Sequence, residues 1–337
     1  MKPYITDRYQ RVVLYDKFSN KLVSEWKCIK HGVPQGSVLG PLLFLIYIND
    51  LPRTTDNYAN SALFADDTGI IITNTDAQEF KQTIDIAIQE TNDWFLRNLL
   101  TVNYNKTQFL QFFAEKQNKI PIQIITSNSV LNNINTTKFL GLTLDSMLSW
   151  REHITALTLK LNKACFTIRE IKPFMTTRVL KMVYYSYFHS IMSYGIIFWG
   201  SSHFSINILR IQKRIMIMTN KSKRDSCRQL YKQLQILTLP GHYILSLLLF
   251  VIKYREFFPL DSDIHDRNTR NNDNLHPPTN LTLVQKGVLY SGIKIFNRLP
   301  TSIKSLSKDP RHFKNKLKNF LLEHTLYSLN EYYQVTS

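Results

Sequence analysis

The sequence predicts an α+β protein, with a small antiparallel sheet backed by helices in residues 1–145 and a mainly α-helical remainder. Three observations carry this expectation. Apolar runs with strand character flank a carboxylate pair at Asp66-Asp67. Residues 76–99 place apolar side chains at helical spacing, and from Trp150 onward helical spacing takes over.

Leu14-Tyr15-Asp16-Lys17 is a short charged segment in which Asp16 reads as a turn residue. His31-Gly32-Val33-Pro34-Gln35-Gly36-Ser37-Val38-Leu39-Gly40-Pro41 is a Gly- and Pro-punctuated loop. It opens into the apolar run Leu42 to Ile48, which Asn49-Asp50-Leu51-Pro52 closes. Gly36 lets backbone approach a ligand closely, and Ser37 is placed to cap the following helix.

Ser61-Ala62-Leu63 leads into Phe64-Ala65-Asp66-Asp67-Thr68, and Gly69-Ile70-Ile71-Ile72-Thr73 leaves it. This reads as a β-hairpin with two carboxylates at its tip. Adjacent carboxylates repel, and a cation relieves that repulsion. Mg²⁺, a hard ion that takes one or two carboxylates plus substrate phosphates, suits them. A helix follows, marked by Ala77, Phe80, Ile84, Ala87/Ile88, Thr91 and Trp94/Phe95, with Thr75 or Asp76 as cap.

Strands are expected at 107–113, 121–126 and 138–144. Trp150, Ile154, Leu157, Leu161, Ala164/Cys165, Ile168 and Ile171 then form one helical stripe ended by Pro173. Further helices are expected at 176–192, 205–220, 226–236 and 242–257. The aromatics Tyr184, Tyr185, Tyr187 and Phe188 fit a packed core better than base stacking. Residues 259–282 are polar, with little period and adjacent prolines, and read as a linker or extended arm. Short amphipathic elements at 283–297 and 310–326 follow.

The Gln35-Gly36-Ser37 loop and the Phe64-Ala65-Asp66-Asp67 hairpin together resemble the palm of a reverse transcriptase of the non-LTR retrotransposon kind. The resemblance continues in order. Leu100-Thr101-Val102-Asn103-Tyr104-Asn105-Lys106-Thr107 is similar to the family's L-x-x-N-x-x-K-T segment, and Thr137-Lys138-Phe139-Leu140-Gly141-Leu142 to its primer grip. Ser193-Tyr194-Gly195 with Trp199-Gly200, and Gly292 through Pro300, resemble the post-palm regions of such elements.

The likeness implies RNA-templated DNA synthesis from a DNA primer and dNTPs, with two Mg²⁺ or Mn²⁺ ions in the complete enzyme. Asp66 and Asp67 would hold metal. Pro34, Gln35, Gly36 and Ser37 would meet nucleotide and template, Lys106 would assist the leaving group, and Phe139, Leu140 and Gly141 would support the primer end. In these terms residues 1–145 are expected to be a partial palm and 146–258 a basic helical thumb. A linker at 259–282 and a helical tail at 283–337 complete the expected order.

One departure stands out. The family's first metal-binding aspartate lies on an apolar strand before the Gln-Gly loop, and only Asp7 and Asp16 precede that loop here at useful distance. Tyr4-Ile5-Thr6-Asp7 resembles the stretch after that aspartate. The chain therefore reads as beginning past the fingers and first palm strand. A two-metal site needs shared carboxylates, so the isolated chain is expected to be a very poor polymerase or none.

Charge is unevenly spread. The net charge is +17, from 42 Lys and Arg against 25 Asp and Glu. Residues 1–145 hold 14 basic and 14 acidic side chains, whereas 146–337 hold 28 and 11. A neutral chemistry module followed by a basic duplex-holding module fits this split. Arg210, Lys213 and Arg214, with Lys221, Lys223 and Arg224, form the densest basic clusters and are expected on nucleic-acid backbone. A solvated helix face is the alternative.

Three cysteines without metal-ligand spacing fit a reducing interior. There is no signal-peptide pattern, and the run Ile244 to Ile252 is too short to span a bilayer. An intracellular protein of the nucleus or a cytoplasmic ribonucleoprotein is expected. A nucleic-acid-binding relic that keeps the basic half without chemistry is the second reading. An unrelated Mg²⁺ hydrolase is disfavoured, because the basic half offers few further acidic ligands.

Overall fold

The computed structural model describes residues 6–30, 32–34, 36–113, 122–125, 130–131, 133–219, 227–261, 274–276 and 287–336. It divides into two compact units, one of Met1–Phe109 with Ile120–Asn133, the other of Leu110–Lys119 with Ile134–Ser337. The boundary at 145 expected from the sequence thus falls inside the second unit.

The first unit opens with a bent antiparallel ribbon. Strands β1 (Arg8–Gln10) and β4 (Lys27–Ile29) pair, as do β2 (Val13–Tyr15) and β3 (Lys21–Val23). Asp16 closes its turn, its carboxylate accepting the Phe18 and Asn20 amides at 2.8 Å and the Asn20 side chain at 2.9 Å. Those hydrogen bonds, the Asn20 side chain's foremost, hold the Asp16 carboxyl below its ordinary pKa.

Helix α1 (Leu39–Ile48) follows, then strands β5 (Asn60–Phe64) and β6 (Asp67–Ile71) and helix α2 (Ala77–Arg97). Asp76 caps α2 by accepting the Gln78 and Glu79 amides. Its inward stripe (Ile84, Ala87, Thr91, Trp94) is the one the spacing predicts.

Two small apolar clusters lie along α2. Near its C-terminus Trp94 packs with Ile48 and Leu51, flanked by Phe44, Leu63, Phe95 and Leu100. Near its N-terminus Ile84 packs with Ile122 and Ile124, flanked by Phe80, Ile88 and Leu131. Ile124 and Leu131 belong to the short strands β7 (Ile124–Ile125) and β8 (Val130–Leu131), which pair antiparallel.

The strands expected at 107–113 and 121–126 are shorter than the sequence suggests, at Phe109–Leu110 and Ile124–Ile125. The strand expected at 138–144 is instead a hairpin, β9 (Thr136–Phe139) against β10 (Leu142–Asp145). Leu140 and Gly141 turn the chain at φ 46° and 81°, the left-handed backbone that a two-residue hairpin turn demands.

Behind this hairpin the second unit is helical. The Asp145 carboxylate accepts the amides of Met147, Ser149 and Trp150 and so organises the entry to α3 (Arg151–Ile171). Helix α4 (Thr177–Val183) runs through a π-helical turn, Tyr184–His189, into Ser190–Ser193. The later helices are α5 (Ile206–Thr219), α6 (Cys227–Leu234), α7 (Leu239–Lys253), α8 (Val288–Asn297), α9 (Pro310–His324) and α10 (Leu329–Val335).

One apolar core joins them, from Ile154 to Tyr332, with α7 contributing seven buried residues to it. The tail expected as a separate segment therefore shares the core of 146–258. The expected linker is anchored to it as well. Asn297 exchanges two 2.8 Å hydrogen bonds with the Leu275 backbone, and Lys304 donates to the Asn274 side chain at 2.9 Å.

A buried amide makes the core specific. Gln212 donates to the Tyr184 hydroxyl and the Leu237 carbonyl and accepts the Leu239 amide, all within 2.9 Å. Three bonding groups from separate parts of the chain are satisfied by one side chain, so truncating it would orphan them. Among the described residues no single helix is long and apolar enough to cross a membrane.

Candidate active site

Asp66 stands in the two-residue turn between β5 and β6, and Asp67 is the first residue of β6, paired with Phe64. Ala65, the other turn residue, takes φ 53°. Both carboxylates are exposed, as the hairpin reading expects. Neither forms an ion pair with a described residue.

The Pro34–Ser37 loop heads α1. Ser37 Oγ accepts the Gly40 amide at 3.1 Å and donates to the Pro34 carbonyl at 2.7 Å, which caps the helix from just outside its assigned start. Gly36 takes φ 79° with open space around the position of a Cβ, so its backbone is exposed for approach. Gln35 lies outside the described residues.

Lys106 is exposed in a turn held by one carbonyl. Asn103 O accepts the amides of Lys106 and Thr107 and the Thr107 hydroxyl, each at 3.0 Å. Tyr104 ties this turn to α2 by donating to Asn92 Oδ1 at 2.9 Å. The Asn103, Lys106, Thr107 spacing is that of a turn closed by its first residue. The sequence reading gave the lysine a role and quoted the asparagine that places it only as part of the motif.

What joins these segments is the cluster around Trp94. Phe44 and Ile48 bring α1, Leu63 brings the strand leading to Asp66, and Leu100 brings the segment leading to Lys106. Tyr47 also donates from α1 to the Asn98 carbonyl at the end of α2. Three motifs far apart in sequence therefore stand on one small core.

Phe139, Leu140 and Gly141 belong to the other unit, at the tip of the β9–β10 hairpin. Among the basic residues, Arg210 and Arg214 are exposed on α5, each within 3.3 Å of an asparagine side-chain oxygen. Lys213 departs from expectation and turns inward. Its Nζ lies 3.4 Å from the centroid of the Tyr327 ring, which Arg228 also faces at 4.2 Å. Burial, and next the Arg228 charge, lower its pKa, while Cys227 and Glu331 oppose the shift. Arg228 in turn holds Glu331 at 3.0 Å. Lys221, Lys223 and Arg224 lie outside the described residues.

The donor chemistry can be tested against a metal. Two exposed carboxylates at a turn are hard oxygen ligands that suit Mg²⁺ or Mn²⁺ when substrate oxygens complete the shell. Among the described residues no group of three or more His, Cys, Asp or Glu is placed to hold a metal ion. The residues therefore fit an ion shared with substrate and fall short of an all-protein cage.

Residues 2–144 match the family model described as reverse transcriptase (RNA-dependent DNA polymerase). The chain carries a reverse-transcriptase domain. It is 29% identical over 233 residues, 66% of its length, to the probable RNA-directed DNA polymerase from transposon BS of Drosophila melanogaster, covering 25% of that protein. It is 29% identical over 140 residues to the RNA-directed DNA polymerase from mobile element jockey of Drosophila funebris. A third relative, the probable RNA-directed DNA polymerase from transposon X-element of Drosophila melanogaster, is 30% identical over 133 residues.

The match to the transposon BS protein is longer than the reverse-transcriptase domain and so reaches into the helical unit. The chain spans a quarter or less of the length of these relatives, 25%, 15% and 14% in turn. No solved structure matches it.

Proposed function

We propose that this chain is the carboxylate-bearing and duplex-holding part of an RNA-directed DNA polymerase of the non-LTR retrotransposon kind. The observation that carries the reading is the Trp94 cluster, which ties the Pro34–Ser37 loop, the Asp66-Asp67 hairpin and the Lys106 turn to one support. In the proposed reaction the primer 3′ oxygen bonds to the α-phosphorus of a dNTP, and the bond from that phosphorus to the pyrophosphate oxygen breaks.

A divalent ion at such a site supplies positive charge to phosphate oxygens. Asp66 and Asp67 hold it, Gly36 and its neighbours pack backbone against nucleotide and template, and Lys106 offers its ammonium to the departing pyrophosphate. Phe139 to Gly141, as a thumb-side primer grip, support the primer end. Arg210 and Arg214, with Lys221, Lys223 and Arg224, meet the phosphates of the RNA–DNA duplex by counterion release. With two carboxylates at the site, the chain alone should extend primers slowly, since a missing preorganised charge costs orders of magnitude in rate.

Metal-directed cleavage tests the assignment without needing turnover. Fe²⁺ is substituted for Mg²⁺ in the presence of primer–template and dNTP, and hydroxyl-radical cuts in the protein are mapped. Cuts should cluster near residues 64–69 and disappear in Asp66→Asn/Asp67→Asn while duplex binding stays within about twofold. Unchanged cleavage in the double variant would refute the metal role. Salt-independent binding would refute the duplex role.

A further inference from the structure

The Ser193-Tyr194-Gly195 and Trp199 motif braces the β9–β10 hairpin. The tip turn is strained, because Leu140 sits at φ 46°, in the left-handed region that a side chain disfavours. Such strain persists only where the surroundings over-determine it. Here Tyr194 donates its hydroxyl to the Leu140 carbonyl, and its ring lies against Gly141, 3.1 Å from where a Cβ would be.

Tyr194 is itself anchored. The indole N–H of Trp199, fully buried in the core, donates to the Tyr194 carbonyl at 3.0 Å. Gly195 takes φ 60° and lets Leu142 of β10 come so close that a Cβ would lie 2.7 Å from Leu142 Cδ2. On the hairpin's other side His153 Nδ1 accepts the Thr143 amide at 3.3 Å. A chain of contacts thus runs from the core through Trp199 and Tyr194 to the Leu140 carbonyl.

We propose that Tyr194 is a positioning residue that fixes the Leu140-Gly141 turn, and through it the 3′ end of a bound DNA primer. This rests on the reading of the hairpin as the primer support. The strut acts on the tip alone, so it should set where the primer end lies without setting how tightly the duplex binds.

The test uses the full chain and a primer–template carrying 2-aminopurine, whose fluorescence reports local stacking. The probe is placed either at the primer 3′ terminus or eight base pairs inside the duplex. Wild type should change the terminal signal on binding. Tyr194→Phe, which removes one oxygen, should reduce that change at least twofold, with the interior signal, the Kd and the melting temperature unaltered. Trp199→Phe should reduce the terminal change more weakly, because it loosens the strut one link back, and should also lower the melting temperature, since it opens a cavity in the core.

A terminal signal in Tyr194→Phe equal to wild type overturns the inference, as do equal effects at both probe positions. Wild-type protein that fails to bind primer–template overturns the functional reading, and this inference with it. Wild-type binding together with an inert Tyr194→Phe removes the strut alone.

Discussion

Trp94→Ala should loosen the candidate active site as a unit. Trp94 is 5% exposed and packs on Ile48 and Leu51, with an edge-to-face contact to Phe95 at 5.4 Å. A buried Trp removes roughly 200 Å² from water, which at about 25 cal/mol per Å² gives about 5 kcal/mol as an upper bound. Several cluster members are only partly buried and can collapse into the gap, which places the cost near 3 kcal/mol, the low end for Trp truncation. Because Leu63 and Leu100 lean on the same cluster, amides of Asn60–Ile71 and of residues 103–107 should exchange with solvent roughly 100-fold faster. Hydrogen exchange read by mass spectrometry measures this segment by segment. Ile84→Ala is the internal comparison, since it hollows out the other cluster and should act first on the β7–β8 pair. Exchange in 60–71 and 103–107 that is unchanged by Trp94→Ala would refute the idea that one core carries the three motifs.

Three more outcomes follow from the geometry. Burial, then the adjacent His189, pushes His242 down to about 3, and burial lowers His153 and His189 as well. The folded state thus favours neutral imidazoles. This stability is complete above pH ~6.5 and is lost as pH falls toward the folded value, about 2 kcal/mol from His242 alone by pH 5. Urea melts followed by tryptophan fluorescence at pH 7.5 and 5 should differ accordingly, and His242→Leu should shrink the difference; coincident melts would contradict this. Lys213→Gln should destabilise the fold by loosening the α5–Tyr327 contact while leaving the salt slope of duplex binding intact, whereas Arg210→Gln/Arg214→Gln should flatten that slope by roughly two phosphate contacts. At Gly36, Asn should be tolerated better than Ala in thermal melts, because the position demands positive φ and no neighbour crowds it.

What the sequence made legible is what local periodicity and turn chemistry encode. The α2 and α3 stripes repeat at helical spacing and are the buried faces observed. Asp76 as a cap and Asp66 at a hairpin tip depend only on neighbours within a few residues. The β9–β10 turn was hidden because Leu140 is not a turn residue by composition; its left-handed backbone is held by Tyr194, which sequence spacing cannot show. The inward course of Lys213 depends on Tyr327, far along the chain, so a basic cluster on a helix looked uniform when it is not. The merging of residues 287–336 into the core of α7 has the same cause, since amphipathic helices announce an apolar face but not its partner.

On the proposed function the uneven charge has a physical reason. Asp66 and Asp67 form no ion pair with a described residue, and they sit in a unit whose sequence carries nearly balanced charge. In a segment as basic as residues 146–337, with 28 Lys and Arg against 11 Asp and Glu, an exposed carboxylate pair would attract guanidinium or ammonium partners. A paired carboxylate is a poorer ligand, because a metal must first displace the resident cation. On the proposed function, keeping the carboxylates in the neutral unit and the cations in the helical one would leave the first free for a divalent ion. On the same reading the net positive charge of residues 146–337 would attract a polyanion. The arrangement also predicts how the two functions respond to salt. Binding by the helical unit should weaken steeply with ionic strength, whereas metal capture at adjacent carboxylates, a short-range contact, should change far less. Measuring both on the same preparation between about 50 and 200 mM salt separates the two contributions, and parallel losses would show that carboxylates and cations are not independent.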